Sequence, residues 1–381
     1  MDVKILITGA GGFLGRNLSA ELQNLRGWTG MDGEKSGRLE LLLCHRNTDL
    51  RDLSAWCKTA DFVFHLAGVN RAGSPEDFWA GNLEFTQALL ARLRRAGNPS
   101  PIVFASSIQA GRASPYGKSK LAAEEALFRH REQTGAEVWI YRLPHIFGKW
   151  SRPEYNSVVA TFCHRIARGL PAVIQDPDLR LELAYIDDVV KELLNALAGS
   201  PHRSGTFCRI PTVYSATLQE LADLLWGFAE SRASGGLPAV GTPFAKKLYA
   251  TYVSFLPREA LLQERMPHRD HRGSFTELFR TPECGQFSVS ITKPGVIRGL
   301  HWHHTKVEKF IVLQGEGELR FRSPEGEVRS FQVSGNRPAV VDIPPGDLHS
   351  IKNQGQDDLV TLIWASECFD PDRPDTYGRE V

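Results

Sequence analysis

Three histidines and one glutamate in the C-terminal part of the chain have the residue types and spacing of a metal site. His301 and His303 are separated by one residue, Glu308 follows shortly after, and His349 lies downstream within Pro344–Asn353. Residues two apart on a β-strand point to the same face, so His301 and His303 can reach one ion if this segment is a strand. Three imidazoles and one carboxylate suit zinc, manganese, iron or nickel. The pattern predicts a divalent metal site without choosing among these metals, and zinc is the one we expect.

A glycine-rich turn, Thr8–Gly15, lies near the N-terminus between a predicted strand at 3–7 and a predicted helix at 13–25. Glycines permit the tight turn and let a pyrophosphate approach the backbone, where the helix N-terminus offers free N–H groups. The turn therefore predicts a dinucleotide site. Its expected contacts are Gly9, Gly12, Phe13, Leu14 and Gly15.

The end of the second predicted strand favours NADPH over NADH. Arg46 stands where an NAD site usually has an acidic residue, and a guanidinium suits the 2′-phosphate of NADP. The alternative is an ordinary solvated arginine. Asp49 and Leu50 follow Arg46 at the place where such folds commonly hold the adenine.

Tyr116 and Lys120 are four residues apart, so they lie on one helical face where the predicted helical stretch at 117–133 begins. A phenol with a pKa near 10 is a poor acid or base at neutral pH. A neighbouring ammonium and a positive nicotinamide ring would favour the phenolate and lower that pKa. Ser106 and Ser107, at the end of the fourth predicted strand, can supply a hydroxyl to the same substrate oxygen.

The elements that must position these residues fall into two groups. Up to about residue 200, apolar runs alternate with amphipathic stretches, which predicts βαβ units and a doubly wound parallel sheet. From about residue 258, short β-type runs separated by Gly and Pro turns predict a small all-β barrel or sandwich. We expect domains at 1–243 and 258–381, joined by a connecting helix at 244–257.

Composition narrows the function further. Lys and Arg number 45 against 44 Asp and Glu, and this balance argues against non-specific binding to nucleic acid or to a membrane surface. The six cysteines are scattered without a C-x-x-C pair, as in a reduced cytosolic protein. No apolar run approaches the roughly 18–20 residues of a membrane span. We expect a cytoplasmic enzyme.

The N-terminal part resembles the extended short-chain dehydrogenases/reductases that act on nucleotide sugars. The resemblance covers about residues 1–240 and includes the glycine turn, His65–Gly68, Tyr116 and Lys120. It implies that Tyr116 is the general acid/base, that Lys120 activates it and binds the ribose, and that Ala67 contacts the cofactor. It implies Ser107 as the oxygen binder; Ser106 is an alternative because only eight residues separate Ser107 from Tyr116.

The C-terminal part resembles the cupins. Residues 295–315 match the first cupin motif and 344–353 match the second, which implies His301, His303, Glu308 and His349 as metal ligands. A second reading stays open, because the same region resembles the metal-free deoxyketosugar 3,5-epimerases, in which the histidine matching His301 is a base. That resemblance implies that Arg272, Glu277 and Arg298 contact a nucleotide sugar.

Both halves in this order resemble a family of bifunctional enzymes of capsular polysaccharide synthesis. The resemblance implies that the cupin domain epimerises C3 of a UDP-4-keto-6-deoxy-N-acetylhexosamine. The N-terminal domain would then reduce C4 with NADPH to give UDP-2-acetamido-2,6-dideoxy-L-talose, a precursor of UDP-N-acetyl-L-fucosamine for capsule or O-antigen. It also implies a homodimer through the cupin domain. The alternatives are a reductase with a non-catalytic cupin, used for dimerisation or sugar sensing, and a non-catalytic scaffold.

Overall fold

A computed structural model describes residues 3–25, 39–281 and 283–378. The chain divides into two compact units: residues 1–226 with 240–257, and residues 227–239 with 258–381.

The first unit is built on a seven-stranded sheet whose main strands are parallel. The chain passes from the first strand to a neighbour on one side and then to a neighbour on the other. This reversal creates a crevice at the carboxyl ends of the strands, where doubly wound sheets bind their ligands. In sheet order the strands are Leu39–Cys44, Val3–Thr8, Phe62–His65, Ile102–Ser107, Val138–Leu143, Phe207–Cys208 and Arg203–Ser204.

Helices cover both faces of this sheet, and one buried apolar cluster lies on each side. Ile7, Leu18 and Tyr141 belong to one cluster; Leu6, Leu90 and Phe104 belong to the other. A separate three-stranded sheet contains Tyr214–Thr217, Arg180–Tyr185 and His145–Phe147. The helices are Phe13–Leu25, Leu50–Thr59, Pro75–Phe78, Phe85–Ala96, Pro115–Thr134, Val158–Ile166, Ile186–Leu197, Leu218–Ala233 and Pro243–Val253, with a π-helical turn at Trp79–Glu84.

Two helices of this unit were absent from the sequence prediction. Leu50–Thr59 is short and begins at Asp49, whose carboxylate accepts a hydrogen bond from the Arg51 N–H at 2.8 Å. Val158–Ile166 begins in the same way at Ser157. A single capping residue is a weak signal because Asp and Ser are equally common in turns.

The second unit is all-β, as predicted, and its strands pair in antiparallel fashion. Its six-stranded sheet has the order His268–Asp270, Gly273–Thr281, Gly285–Thr292, Leu359–Ala365, Glu308–Gln314 and Val340–Ile343. Its five-stranded sheet has the order Val328–Ser334, Glu316–Arg322, Leu348–Asn353, Ile297–Trp302 and Tyr377–Gly378. A 3₁₀ turn at Arg258–Leu261 precedes them, and Phe310, Leu319, Ile343 and Ile351 lie in the buried core.

The unit boundaries differ from the expected domains in one region. Residues 227–239 group with the second unit because the Leu237 N–H donates to the Arg280 carbonyl at 2.9 Å. The expected linker at 244–257 groups with the first unit, since Lys247 donates to the Asp188 carboxylate at 2.6 Å. Among the described residues, no helix has the length and apolar character that crossing a membrane requires.

Candidate active sites

A cavity of about 1040 Å³ opens at the carboxyl ends of the parallel strands of the first unit. Gly9, Gly12 and Gly15 line one side of it, and Ser107, Tyr116 and Lys120 line another. The structure therefore brings the predicted cofactor turn and the predicted catalytic set to a single cavity, which is large enough for a cofactor and a sugar.

The glycine turn is as tight as the sequence prediction requires. Gly9 has a φ of +72°, and a Cβ at this position would lie 2.7 Å from the backbone nitrogen of Ala67. A Cβ at Gly15 would lie 2.2 Å from the Gly9 carbonyl oxygen. These approaches exclude larger side chains and leave the backbone N–H groups at the start of the helix available to a pyrophosphate.

Tyr116 and Lys120 lie one turn apart on the helix Pro115–Thr134. Burial raises the pKa of Tyr116, opposed by a hydrogen bond with Ser107. The Lys120 ammonium donates to the Ala105 carbonyl at 2.7 Å. Burial lowers the pKa of Lys120 to about 8, opposed by Glu124. The protein alone therefore does not lower the pKa of Tyr116 as the sequence predicted. The Lys120 ammonium is bonded to a backbone carbonyl, and the effect of burial on Tyr116 is the larger one.

The two serines at the end of Ile102–Ser107 have different partners. The Ser106 hydroxyl donates to Glu124, which also accepts two hydrogen bonds from the Arg142 guanidinium. Ser107 is the serine that contacts Tyr116. This geometry favours Ser107 over Ser106 as the oxygen binder. Glu124 was missed in the sequence analysis, although its position one turn after Lys120 was a usable signal.

A buried hydrogen-bond chain fixes the wall behind the glycine turn. Thr86 donates to the Asn82 carbonyl at 2.5 Å, so its oxygen accepts from His65 Nε2 at 2.8 Å. His65 Nδ1 then accepts from Thr8 at 2.7 Å. Burial, reinforced by the charge of Lys120, lowers the pKa of His65 to about 3, so this imidazole is neutral. The chain joins the first and third strands where they end at the cavity.

Four predicted cofactor contacts lie outside the residues that line the cavity: Ala67 and the exposed residues Arg46, Asp49 and Leu50. Asp49 caps a helix and forms a salt bridge with Arg51 at 2.8 Å, so its carboxylate is already occupied. Arg46 has neither a hydrogen bond nor an ion pair among the described residues, which leaves its guanidinium available. Ala67 lies directly behind Gly9.

The four predicted metal ligands of the second unit converge. One ligand atom from each of His301, His303, Glu308 and His349 lies within 4.8 Å of the others. Glu308 Oε2 lies 3.3 Å from His303 Nε2 and 3.2 Å from His349 Nε2. An irregularity in strand pairing between Gly299 and His301 turns the strand here, and Leu300 adopts a φ of +61°. As a result His301 pairs directly with His349 on the neighbouring strand.

The polar atoms at this point fit a cation. His303 Nε2, His349 Nε2 and Glu308 Oε2 are buried without a hydrogen-bond partner among the described residues. His303 Nδ1 lies 2.5 Å from the Asp375 carbonyl oxygen, and since that oxygen can only accept, Nδ1 carries the proton. A ring that carries only this proton presents a lone pair on Nε2 to the carboxylate, which is unfavourable unless a second proton or a metal ion lies between them. Asp375 was missed in the sequence analysis.

The substrate contacts predicted in the second unit are only partly brought together. Asp270 accepts from Arg272 at 2.6 Å and lies 3.4 Å from Arg298. Arg298 Nε is buried and lacks a partner among the described residues. Glu277 forms an ion pair with Arg280 at 2.7 Å instead of joining this cluster.

Comparison with known proteins finds a family match for each part of the chain. Residues 5–205 match the NAD dependent epimerase/dehydratase family, and residues 268–377 match the polysaccharide biosynthesis C-terminal domain. The chain is 41% identical over 380 residues to UDP-2-acetamido-2,6-beta-L-arabino-hexul-4-ose reductase of Pseudomonas aeruginosa, covering 100% of this chain and 99% of the relative.

Solved structures extend the comparison to the fold. The crystal structure of the capsular polysaccharide assembling protein CapF from Staphylococcus aureus has a TM-score of 0.90 at 42% identity, with both chains fully covered. UDP-glucuronic acid 4-epimerase from Bacillus cereus covers 66% of the chain and 98% of its own length, with a TM-score of 0.52 at 20% identity, and supports the fold alone. The chain belongs to the NAD dependent epimerase/dehydratase family, and it is similar to CapF over its full length.

Proposed function

We propose that this protein is a bifunctional nucleotide-sugar enzyme. The cupin domain epimerises C3 of a UDP-4-keto-6-deoxy-N-acetylhexosamine, and the N-terminal domain then reduces C4 with NADPH. The product is UDP-2-acetamido-2,6-dideoxy-L-talose, a precursor of UDP-N-acetyl-L-fucosamine for capsule or O-antigen. The observation that carries the proposal is the presence of two polar sites on one chain. The relative that matches the full length of this chain has the name of a UDP-linked hexul-4-ose reductase.

The reduction follows from the residues around the cavity. NADPH held against Gly9–Gly15 would supply a hydride to C4. Tyr116 transfers its phenolic proton to the oxygen at C4, which becomes the hydroxyl, and Ser107 holds that oxygen by a hydrogen bond. Arg46 binds the 2′-phosphate of the cofactor. Replacing Arg46 with Asp should therefore lower kcat/KM with NADPH and leave the value with NADH nearly unchanged.

The epimerisation depends on the ketone that the reduction later removes. The proton at C3 is acidic because, once it leaves, the electron pair of the C3–H bond delocalises onto the C4 oxygen to form an enolate. A divalent metal, which we expect to be zinc, would be held by His301, His303, Glu308 and His349 and could stabilise that oxygen anion. Arg272 and Arg298 supply positive charge for the diphosphate of the substrate. Epimerisation therefore precedes reduction.

Hydrogen exchange at C3 tests the proposal. The purified protein is incubated with the 4-keto-6-deoxy UDP-sugar in deuterated water without NADPH, and deuterium at C3 is measured by mass spectrometry. We expect exchange in the wild type and in Tyr116→Phe, and loss of exchange in His301→Ala. His301→Ala should still consume NADPH with a C3-epimerised ketosugar. Absence of exchange in the wild type would refute the epimerase assignment.

One observation supports a homodimer that forms through the C-terminal domain. One face of its six-stranded sheet carries a largely apolar pocket, lined by Phe287, Lys309, Ile311, Val340, Leu362 and Trp364. We propose that a second copy of the chain covers this face. Light scattering should show a dimer for the wild type and a monomer for Ile311→Glu, with Val328→Glu on the other sheet as the control. A monomeric wild type would contradict this assembly.

A further inference from the structure

The segment Pro374–Gly378 is bound to the metal-ligand region at several points. The Asp375 carboxylate accepts hydrogen bonds from the backbone N–H groups of His304, Thr305 and Lys306 at 2.9, 3.0 and 3.0 Å. It also accepts from the Thr305 hydroxyl at 3.2 Å. These bonds lower the pKa of Asp375, although burial opposes them. This ionised side chain therefore holds the turn that follows His303.

The same residue contacts the ligand His303 through its backbone. The Asp375 carbonyl oxygen accepts from His303 Nδ1 at 2.5 Å, and His303 is only 2% exposed. This bond fixes the proton on Nδ1 and directs the Nε2 lone pair towards Glu308 and His349. In metal sites, such a partner sets both the tautomer and the ring orientation of the ligand.

The neighbours of Asp375 fix its position. Lys306 is buried and donates to the Pro374 carbonyl at 2.9 Å. On the other side, Tyr377 and Gly378 pair with Trp302 and His301 as an antiparallel edge strand. Asp375 itself has a φ of +40°, in the left-handed region that non-glycine residues rarely adopt. Such a conformation persists where surrounding contacts determine it, as they do here.

We infer that Asp375 is a positioning residue. Its backbone carbonyl accepts the hydrogen bond that orients His303 for metal binding, and its carboxylate holds this carbonyl in place. The inference rests on the metal site of the proposed function. It assigns a role to the C-terminal segment that neither the motif spacing nor the family comparisons indicate. The Asp375 carboxylate is not one of the four candidate ligands; it acts through the backbone.

The test is zinc affinity of the full-length protein, freed of metal with a chelator and titrated with zinc against a chromogenic competitor. We expect Asp375→Ala to raise the zinc Kd by about 10- to 100-fold, as loss of outer-shell partners commonly does. Asp375→Asn keeps one acceptor oxygen and should give an intermediate value. Asp372→Ala, in the same exposed segment, is the matched control and should bind as the wild type does.

A second measurement separates positioning from a general loss of structure. Imidazole ¹⁵N NMR of the metal-free protein should show His303 protonated on Nδ1 in the wild type and a mixture of tautomers in Asp375→Ala. Unchanged zinc affinity and an unchanged tautomer in Asp375→Ala would overturn the inference while leaving the metal site intact. A wild type that fails to bind zinc, or a His303→Ala variant that binds as tightly, would overturn the metal site and the inference together.

Discussion

Ser106 and Glu124 are joined by a buried hydrogen bond, and this bond distinguishes Ser106 from the adjacent Ser107. Glu124 is 1% exposed. Its Oε1 atom accepts hydrogen bonds from both the Ser106 hydroxyl and Arg142 Nε, the second at 3.1 Å. The Ser106 hydroxyl therefore supports the end of the strand, and Ser107 remains beside Tyr116. The two hydroxyls have similar burial and differ in their partners.

The first prediction contrasts the two serines. Ser107→Ala should lower kcat/KM for ketosugar reduction by about 100-fold or more, because a donor to the developing oxygen charge is lost. Ser106→Ala should lower the free energy of unfolding by about 1–3 kcal/mol, since Glu124 loses a buried partner, and should retain most of the activity. Steady-state kinetics and urea unfolding of both variants check this. The reverse pattern would identify Ser106 as the oxygen binder.

A second prediction concerns Glu124 and the charge of Lys120. Burial lowers the pKa of Lys120 to about 8 and the Glu124 carboxylate opposes that shift, so Glu124→Gln should lower the Lys120 pKa further. Among the other charged groups nearby, Arg142 is paired with Glu124 and His65 is neutral. The alkaline limb of the kcat/KM profile for reduction should move to lower pH, and activity at pH 8.5 should fall several-fold.

The neighbouring residue provides the control for this profile. Glu125 is exposed on the same helix, so Glu125→Gln changes the net charge equally without touching Lys120. Its pH profile should match the wild type. If the alkaline limb of Glu124→Gln also matched the wild type, Glu124 would have a purely structural role.

Parts of the candidate sites were predictable because their residues are close in sequence. The glycine turn and the Tyr116–Lys120 pair each lie within one turn or helix, where spacing determines geometry. Asp375 could not be found in this way, because it lies 72 residues from His303 and contacts it through a backbone carbonyl. The sequence predicts that Asp49 holds the adenine of the cofactor, but its side chain caps a helix that the sequence pattern did not reveal.

A third prediction concerns acid stability. His65 has a pKa of about 3 in the folded protein and an ordinary value near 6.5 when unfolded, so the unfolded chain binds one more proton between these values. Stability therefore falls as the pH decreases from about 6.5 towards 3. Replacing His65 with Gln should reduce the slope of unfolding free energy against pH by about 1.4 kcal/mol per pH unit near pH 5.

The slope of unfolding free energy against pH separates the effect of proton binding from the other effects of this substitution. His65→Gln also disturbs the bonds to Thr8 and Thr86, but that loss lowers stability equally at every pH in this range. Urea unfolding at several pH values between 4 and 7 measures the slope. Parallel lines for the wild type and His65→Gln would show that His65 takes up its proton without unfolding.

The last prediction is that removing the metal destabilises the second unit. Three buried ligand atoms lack a hydrogen-bond partner among the described residues, so the folded state gains from an ion that the unfolded chain binds weakly. At a free metal concentration of 100 times Kd this gain is about 2.7 kcal/mol. Chelation should therefore lower the Tm of the wild type, and zinc should restore it. His301→Ala should begin with a lower Tm that neither chelator nor zinc changes, whereas Tyr116→Phe should respond as the wild type does. Equal Tm values for the wild type with and without chelator would show that these four side chains are stable without an ion.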